Sequence, residues 1–297
     1  MRRLSHRDLA TVGATIERCA RKLRRARVHF GHGTDNALDE AAELVFYVAG
    51  ISHAAGDSAY ARPLTAHRVA RVDALLRRRI EERLPLPYLT NRAYFAGLEL
   101  YVDERVLVPR SPIAELAMMR FQPWIGGYRV RRILDLGTGS GAIALACAQA
   151  FPQALVDAVD ISSKALQVCR RNVRAFGLTK RVRVVRSDHF DAVEGCRYDI
   201  IVSNPPYVGR AQMRTMPREY RHEPRLGLAA GADGLDSVRI IFGAARRHLY
   251  GHGILIVEVG NTEGALLRAF PLMPFIWPYI AMGGGGVFVL KAQNLEK

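Results

Sequence analysis

The sequence predicts an α/β fold in which a mostly parallel sheet follows a small helical N-terminal domain and a connecting β-hairpin. Two observations lead there. From Arg131 onward short apolar runs alternate with helical stretches, the pattern of βαβ units and a parallel sheet. Ahead of that point the apolar residues recur at helical spacing, and Pro85 and Pro87 stop the last of these helices.

In chain order, the first helical pattern runs from Leu4 to Arg27, with Ser5 as its cap. The second spans Asn36 to Ala49, and its acidic opening (Asp39, Glu40, Glu43) suits the positive end of a helix dipole. The third, Ala66 to Arg83, sets Val69, Val72, Leu75, Leu76 and Ile80 on one face. Ala93 to Val108 reads as a hairpin around Gly97, and Ile113 to Phe121 as a short helix after Pro109 and Pro112. Strands follow at Arg132 to Leu136, Leu155 to Asp160, Val182 to Ser187, Asp199 to Asn204 and Ile254 to Val259. Helices fit between them at Ala142 to Ala150, Ser162 to Phe176 and Asp236 to Tyr250. Two late runs, Phe275 to Ala281 and Val287 to Leu290, are joined by Gly283 to Gly286 and predict a closing antiparallel hairpin on the sheet edge. Domain boundaries accordingly fall at 1–87, 88–122 (hairpin and linker helix) and 123–297.

Composition narrows the function classes. Of the 297 residues, 49% are hydrophobic and 24% charged, which excludes a disordered or collagen-like chain. The longest apolar stretch, about Ala142 to Ala148, falls far short of the roughly 18 residues a spanning helix needs. Cys19, Cys147, Cys169 and Cys196 stand far apart without a Cys-x-x-Cys pair, against both a disulfide framework and a structural zinc site. The histidines, among them His29, His32, His189, His222 and His252, show no metal spacing, and no metal is expected. Net charge is the unusual number: +15, a field that attracts nucleic acid or something attached to it. Residues 1–27 carry nine Arg or Lys against Asp8 and Glu17, read either as an anion-binding face or as a solvated helix face. No Ser-rich, acid-free stretch precedes the first helix, so a transit peptide is not expected.

Two motifs carry chemistry. Ile133-Leu134-Asp135-Leu136-Gly137-Thr138-Gly139-Ser140-Gly141-Ala142 is a strand, a glycine-rich turn and a helix start, whose free N–H groups face whatever sits there. Asp160 ends the next strand, where an acid can accept both hydroxyls of a ribose. Asp188, past the third strand, is placed to accept from an adenine amino group or to cap the following turn. The turn alone does not separate a dinucleotide from a sulfonium cofactor.

The second motif, Asn204-Pro205-Pro206-Tyr207, ends the fourth strand and so faces the same crevice. Consecutive prolines remove two N–H donors and leave carbonyls to accept. With the Asn204 side chain as a further acceptor and Tyr207 as a stacking face, the segment suits a planar exocyclic N–H2, whether carboxamide or adenine. Accepting both hydrogens localises the nitrogen lone pair and steadies the charge that develops as it attacks a methyl group. Such a reaction leans on positioning and demands no general base.

Together DLGTGSG and NPPY make the chain resemble the S-adenosylmethionine-dependent N5-glutamine methyltransferases. The resemblance implies a seven-stranded Rossmann-like methyltransferase sheet behind a helical substrate-binding domain, and a cytoplasmic enzyme. It implies that Gly137, Thr138, Gly139, Ser140, Gly141, Asp160, Asp188 and His189 hold S-adenosyl-L-methionine; where the family commonly has an aromatic residue after the second acid, this chain has His189. Asn204, Pro205, Pro206 and Tyr207 would clasp the glutamine amide. Segments 29–41, 88–116 and 219–238 are similar to the branch that methylates large-subunit ribosomal protein three. The release-factor branch more usually shows an acid–threonine–glutamate variant at Ser111-Pro112-Ile113-Ala114-Glu115, although Gly137 and Ala142 are features of its cofactor turn. The expected partner is that ribosomal protein, with ribosomal RNA nearby. A release-factor glutamine methyltransferase and an adenine-N6 nucleic-acid methyltransferase remain the alternatives, ahead of an RNA-binding assembly factor or a nicotinamide oxidoreductase.

Seven further residues stand out. Arg110 reads as a substrate clamp or a surface pair, and Glu223 and Arg225 as closing the site or bridging within their loop. Glu258, inside an apolar run, reads as a residue orienting the site or as a strand-end polar group. Met118, Met119 and Phe121 read as packing residues.

Overall fold

The structure, a computed structural model, describes residues 10–295, which form two compact units. The first comprises residues up to Arg92 together with Pro217–His222; the second comprises Ala93–Met216 and Glu223 onward.

The first unit holds α1 (Val12–Ala26), α2 (Ala37–Ala49), α3 (Ala66–Glu81) and α4 (Leu86–Thr90). Thr11 caps α1 by accepting from the Ala14 N–H, so this helix starts later than expected; the Leu4 start and the Ser5 cap lie outside the described residues. Asn36 caps α2 through the Leu38 and Asp39 N–H groups, and Thr65 caps α3. Val12, Ile16, Cys19, Ala20 and Leu23 bury one face of α1 in a core shared with Leu44, Val45, Val72 and Leu76. That leaves Arg21, Lys22, Arg24, Arg25 and Arg27 exposed on the opposite face.

Arg79 is buried within this unit at 1% exposure. Its guanidinium donates to Glu40 at 2.8 Å and to the His29 carbonyl at 2.7 Å, and reaches Glu219 at 3.5 Å. Burial opposes ionisation of Glu219, but the His29 N–H bond, Arg79 and Arg83 together hold its carboxyl below the usual range. A buried ion pair adds little over an apolar pair, yet removing one member strands the other. Arg79→Met is therefore expected to lower unfolding free energy by about 3–5 kcal/mol, read as a shifted urea midpoint. An unchanged midpoint would show that Glu40 and Glu219 find other partners.

The second unit opens with the hairpin, β1 (Ala93–Phe95) and β2 (Leu98–Leu100). Ala96 and Gly97 both take positive φ, the tight turn whose twist matches that of the strands. Pairing stops at Leu100 instead of continuing to Val108, because Tyr101 exchanges backbone hydrogen bonds with the Asn172 side chain. Then come α5 (Ile113–Met118), β3 (Arg132–Leu136), α6 (Ala142–Ala150), β4 (Leu155–Asp160), α7 (Ser163–Ala175), β5 (Val182–Arg186), β6 (Tyr198–Ser203) and α8 (Arg210–Thr215). The unit ends with α9 (Asp236–Ala245), β7 (Leu249–Glu258), α10 (Glu263–Ala269) and β8 (Val287–Lys291). Helix α9 stops before Tyr250 because Leu249 already pairs with Tyr198 across the sheet. Phe121 is fully buried, whereas Met118 and Met119 are about half exposed.

The main sheet has six strands in the order β5-β4-β3-β6-β7-β8, parallel except for β8. It is the expected α/β sheet with one strand fewer than seven. Phe275 to Ala281 contributes only an isolated bridge, Ile276 to Val289. Pro274 precedes that run and Pro278 interrupts it, and a strand needs N–H donors that proline lacks. One apolar cluster packs α5 and α6 on one side of the sheet around Ile133, Val156 and Ile200; a second gathers Leu134, Ile201 and Leu255 with α9 on the other.

Candidate active site

Strand order runs outward from β3 toward β4 and β5 on one side and toward β6, β7 and β8 on the other. The crevice beyond the carboxyl ends of β3 and β6 is thus the switch point where open α/β sheets bind ligands. Leu136 and Ser203 are register partners there, and the Ser203 hydroxyl donates to the Leu136 carbonyl at 2.8 Å. Gly137 and Asn204, the next residues, consequently start their two motifs side by side.

Gly137, Gly139 and Gly141 all take positive φ. Their reasons differ. A Cβ on Gly137 or Gly139 would meet nothing within 4 Å, so the space beside that backbone is open to a ligand. At Gly141 it would lie 2.8 Å from Cys169 Sγ, so this glycine lets α6 pack against α7. The turn is tied from beneath: the Gly137 and Thr138 N–H groups donate to the Val159 carbonyl, and Asp135 Oδ2 accepts from the Thr138 hydroxyl at 2.6 Å and the Ala144 N–H at 3.0 Å.

Asp135 Oδ1 is buried and has no partner among the described residues. Burial pushes this carboxyl up to about 7, against the Thr138 and Ala144 bonds. A carboxyl raised on folding stabilises most below its unfolded value near 4, and that contribution is lost as pH rises through 7. Asp135→Asn cannot ionise, so its stability is expected to be flatter than the parent's between pH 4 and 8, measured by denaturant unfolding. Parallel pH curves for the two proteins would remove Asp135 from the balance.

Asp160 ends β4 as expected, largely buried. Its Oδ2 accepts from the Gly139 N–H at 3.0 Å and its Oδ1 from the Ser162 N–H at 2.8 Å, which leaves further lone pairs on the carboxylate. Asp188 and His189 follow β5; His189 Nδ1 lies 2.7 Å from Asp188 Oδ1, and the Asp188 side chain is 58% exposed. His189 has φ +44°, held by the Ser187 hydroxyl donating to its carbonyl. Sequence reading missed Asn172. Its amide donates to Ser140 and Tyr101 carbonyls and bolts the hairpin to the glycine turn, a contact that no local pattern announces.

In the second motif Pro205 is buried, while Asn204, Pro206 and Tyr207 are half-buried. The Asn204 amide makes no hydrogen bond to another described residue. Tyr207 is held at three points. Its hydroxyl donates to Glu258 Oε1 at 2.9 Å, a Cβ on Gly260 would fall 2.6 Å from its ring, and one on Gly234 would fall 2.3 Å from its carbonyl oxygen. One side of the ring is thereby occupied by the Gly260 backbone. Arg110 is engaged by Glu223 through two bonds of 2.6 and 2.8 Å, and Glu223 Oε1 also accepts from the Val108 N–H. Both residues thus bind each other rather than pointing away from the chain. Among the described residues no group of His, Cys, Asp and Glu could hold a metal ion, and no helix is long and apolar enough to cross a membrane.

The donor set fits a nucleoside-bearing cofactor: open backbone at Gly137 and Gly139, acceptors at Asp160 and Asp188, and the orphaned Asp135 oxygen beneath. Together with the proline clasp, this fold and site define a methyltransferase. Residues 119–219 match the family model described as the methyltransferase small domain. The hMettl16 catalytic domain in complex with MAT2A 3'UTR hairpin 6 has a similar fold, with a TM-score of 0.51 over 76% of this chain and 81% of that one at 16% identity. Curated relatives are much nearer in sequence. Ribosomal protein uL3 glutamine methyltransferases from Francisella tularensis, Bordetella pertussis and Xanthomonas campestris are 44%, 43% and 44% identical, over 91%, 100% and 97% of this chain and 86%, 100% and 93% of theirs. The chain belongs to the ribosomal protein uL3 glutamine methyltransferase family.

Proposed function

We propose that the chain transfers a methyl group from S-adenosylmethionine to the side-chain amide nitrogen of a glutamine in ribosomal protein uL3, in the cytoplasm where that protein is assembled. The observation that carries this reading is the Asn204 amide, half-buried and without a bond to another described residue, beside the open glycine turn. Gly137 to Gly141, Asp160, Asp188 and His189 hold the cofactor, which supplies an electrophilic methyl group on a positive sulfur.

The chain's own residues supply alignment. Asn204 Oδ1 and a carbonyl of the Pro205–Pro206 segment accept the two amide hydrogens, which draws the lone pair out of conjugation and onto the reacting face. The C–N bond forms as the sulfur–methyl bond breaks, and the amide proton then leaves to water. Tyr207 borders the amide.

The exposed basic face of α1 supports ribosomal RNA as part of the substrate surface, because a basic enzyme gains nothing from gripping a basic protein alone. Methylation of assembly intermediates should then fall steeply with salt while that of isolated uL3 does not; equal dependence removes RNA from the account. The function itself is tested with methyl-labelled S-adenosylmethionine and ribosomal particles from cells lacking the protein. Label in one large-subunit protein, at a glutamine, supports the reading. Label in RNA transfers it to the nucleic-acid alternative.

A further inference from the structure

Behind the clasp, and touching neither motif's open side, lies a buried carboxylate. Glu258 is the last residue of β7 and is only 5% exposed. Each of its oxygens receives a hydroxyl: Oε1 from Tyr207 at 2.9 Å and Oε2 from Ser111 at 2.5 Å. Ser111 Oγ in turn accepts from the Ile113 N–H at the start of α5. No cation bonds Glu258 among the described residues. Arg110, whose charge acts on Glu258, is itself bonded to Glu223. Burying a carboxylate without a paired cation is costly, and two hydroxyls could be joined at less cost by a neutral group. What the carboxylate adds is two strong acceptors at fixed separation, and one of them fixes the Tyr207 hydroxyl.

The prolines restrict the start of the clasp, and Gly234 and Gly260 admit the Tyr207 carbonyl and ring at close range. Gly260 bounds one side of the ring, and the Glu258 bond anchors its hydroxyl end. We infer that Glu258 is a positioning residue for methyl transfer, acting through the Tyr207 hydroxyl to hold the Asn204–Tyr207 segment where it receives the substrate amide, with Ser111 as its second donor. This rests on the glutamine reading above.

Burial raises the Glu258 carboxyl above its usual range, against the Ser111 and Tyr207 bonds and the Arg110 charge. Once protonated it can turn its donor on Ser111 while Tyr207 keeps its acceptor, so turnover should stay nearly level as pH drops through that raised value. The test uses the full chain, uL3-bearing particles and the variants Glu258→Ala, Glu258→Gln, Tyr207→Phe and the Glu258→Ala/Tyr207→Phe double. Glu258→Ala and Tyr207→Phe should each lower kcat about 10- to 100-fold, with cofactor Kd changed by no more than about twofold, and the double should be no worse than either single. Glu258→Gln, which keeps an acceptor for Tyr207 and offers its donor to Ser111, should recover most of kcat. Full activity in Tyr207→Phe, or multiplicative losses in the double, would overturn the proposal. So would parallel loss of kcat, cofactor binding and Tm in Glu258→Ala without rescue by glutamine. If wild-type label appears in RNA, the glutamine reading fails separately, and the Glu258–Tyr207 coupling is still read on that acceptor.

Discussion

Replacing Asn204 by alanine is expected to lower kcat about 100- to 1,000-fold while cofactor affinity stays nearly constant. The argument is geometric. The Asn204 amide has no bond to another described residue to lose, so its removal should leave Tm almost unchanged. Its oxygen acts on the attacking nitrogen, whose need for an acceptor grows as positive charge develops, so the loss belongs to turnover rather than binding. Single-turnover methylation with saturating cofactor, beside calorimetry of the cofactor alone, separates the two. Normal methylation by Asn204→Ala would end the clasp account.

Gly139→Val should have the opposite signature: cofactor binding reduced at least about 100-fold, with a folded chain. A Cβ at Gly139 meets nothing in the protein, so the branched side chain finds room, but the room it takes is the space assigned to the cofactor. Its φ of +55° adds strain of about 1–2 kcal/mol for a non-glycine residue, a modest fall in Tm. Gly141→Val is the control that distinguishes space from packing. There the added carbon strikes Cys169, and the expected result is a much larger loss of stability. If Gly139→Val binds cofactor normally, the open face of the turn is not the binding face.

How much of this was readable beforehand depended on whether the cause was local. Strand and helix positions in the second unit follow from periodicity, and β3, α6 and β4 fall where the residue pattern puts them. The glycine turn, Asp160 and the Asn204–Tyr207 segment could be placed at the carboxyl ends of strands from strand polarity alone, and the structure brings them together. Glu258 was legible as a residue orienting the site or as a strand-end polar group, but its partners, and the roles of Asn172 and Ser111, were not. Each matters through a partner from 32 to 147 positions away, and pairing at that range depends on the finished fold. The missing seventh strand has a different cause: the aromatic and β-branched content of Phe275 to Ala281 points to a strand, but Pro278 within it and Pro274 before it withhold backbone donors.

The membership of Pro217–His222 in the helical unit bears on how the polypeptide is made. Synthesis runs from the amino end, and Glu219 emerges only after residues 93–216 have been translated. Until then only two of the three Arg79 partners, Glu40 and the His29 carbonyl, exist, with the second carboxylate still to come. The amino-terminal helices therefore reach their final electrostatic balance late, after much of the sheet's sequence exists. A fragment ending at Arg92 would lack that carboxylate permanently, so the two halves cannot be recombined as independent modules by cutting at the linker alone.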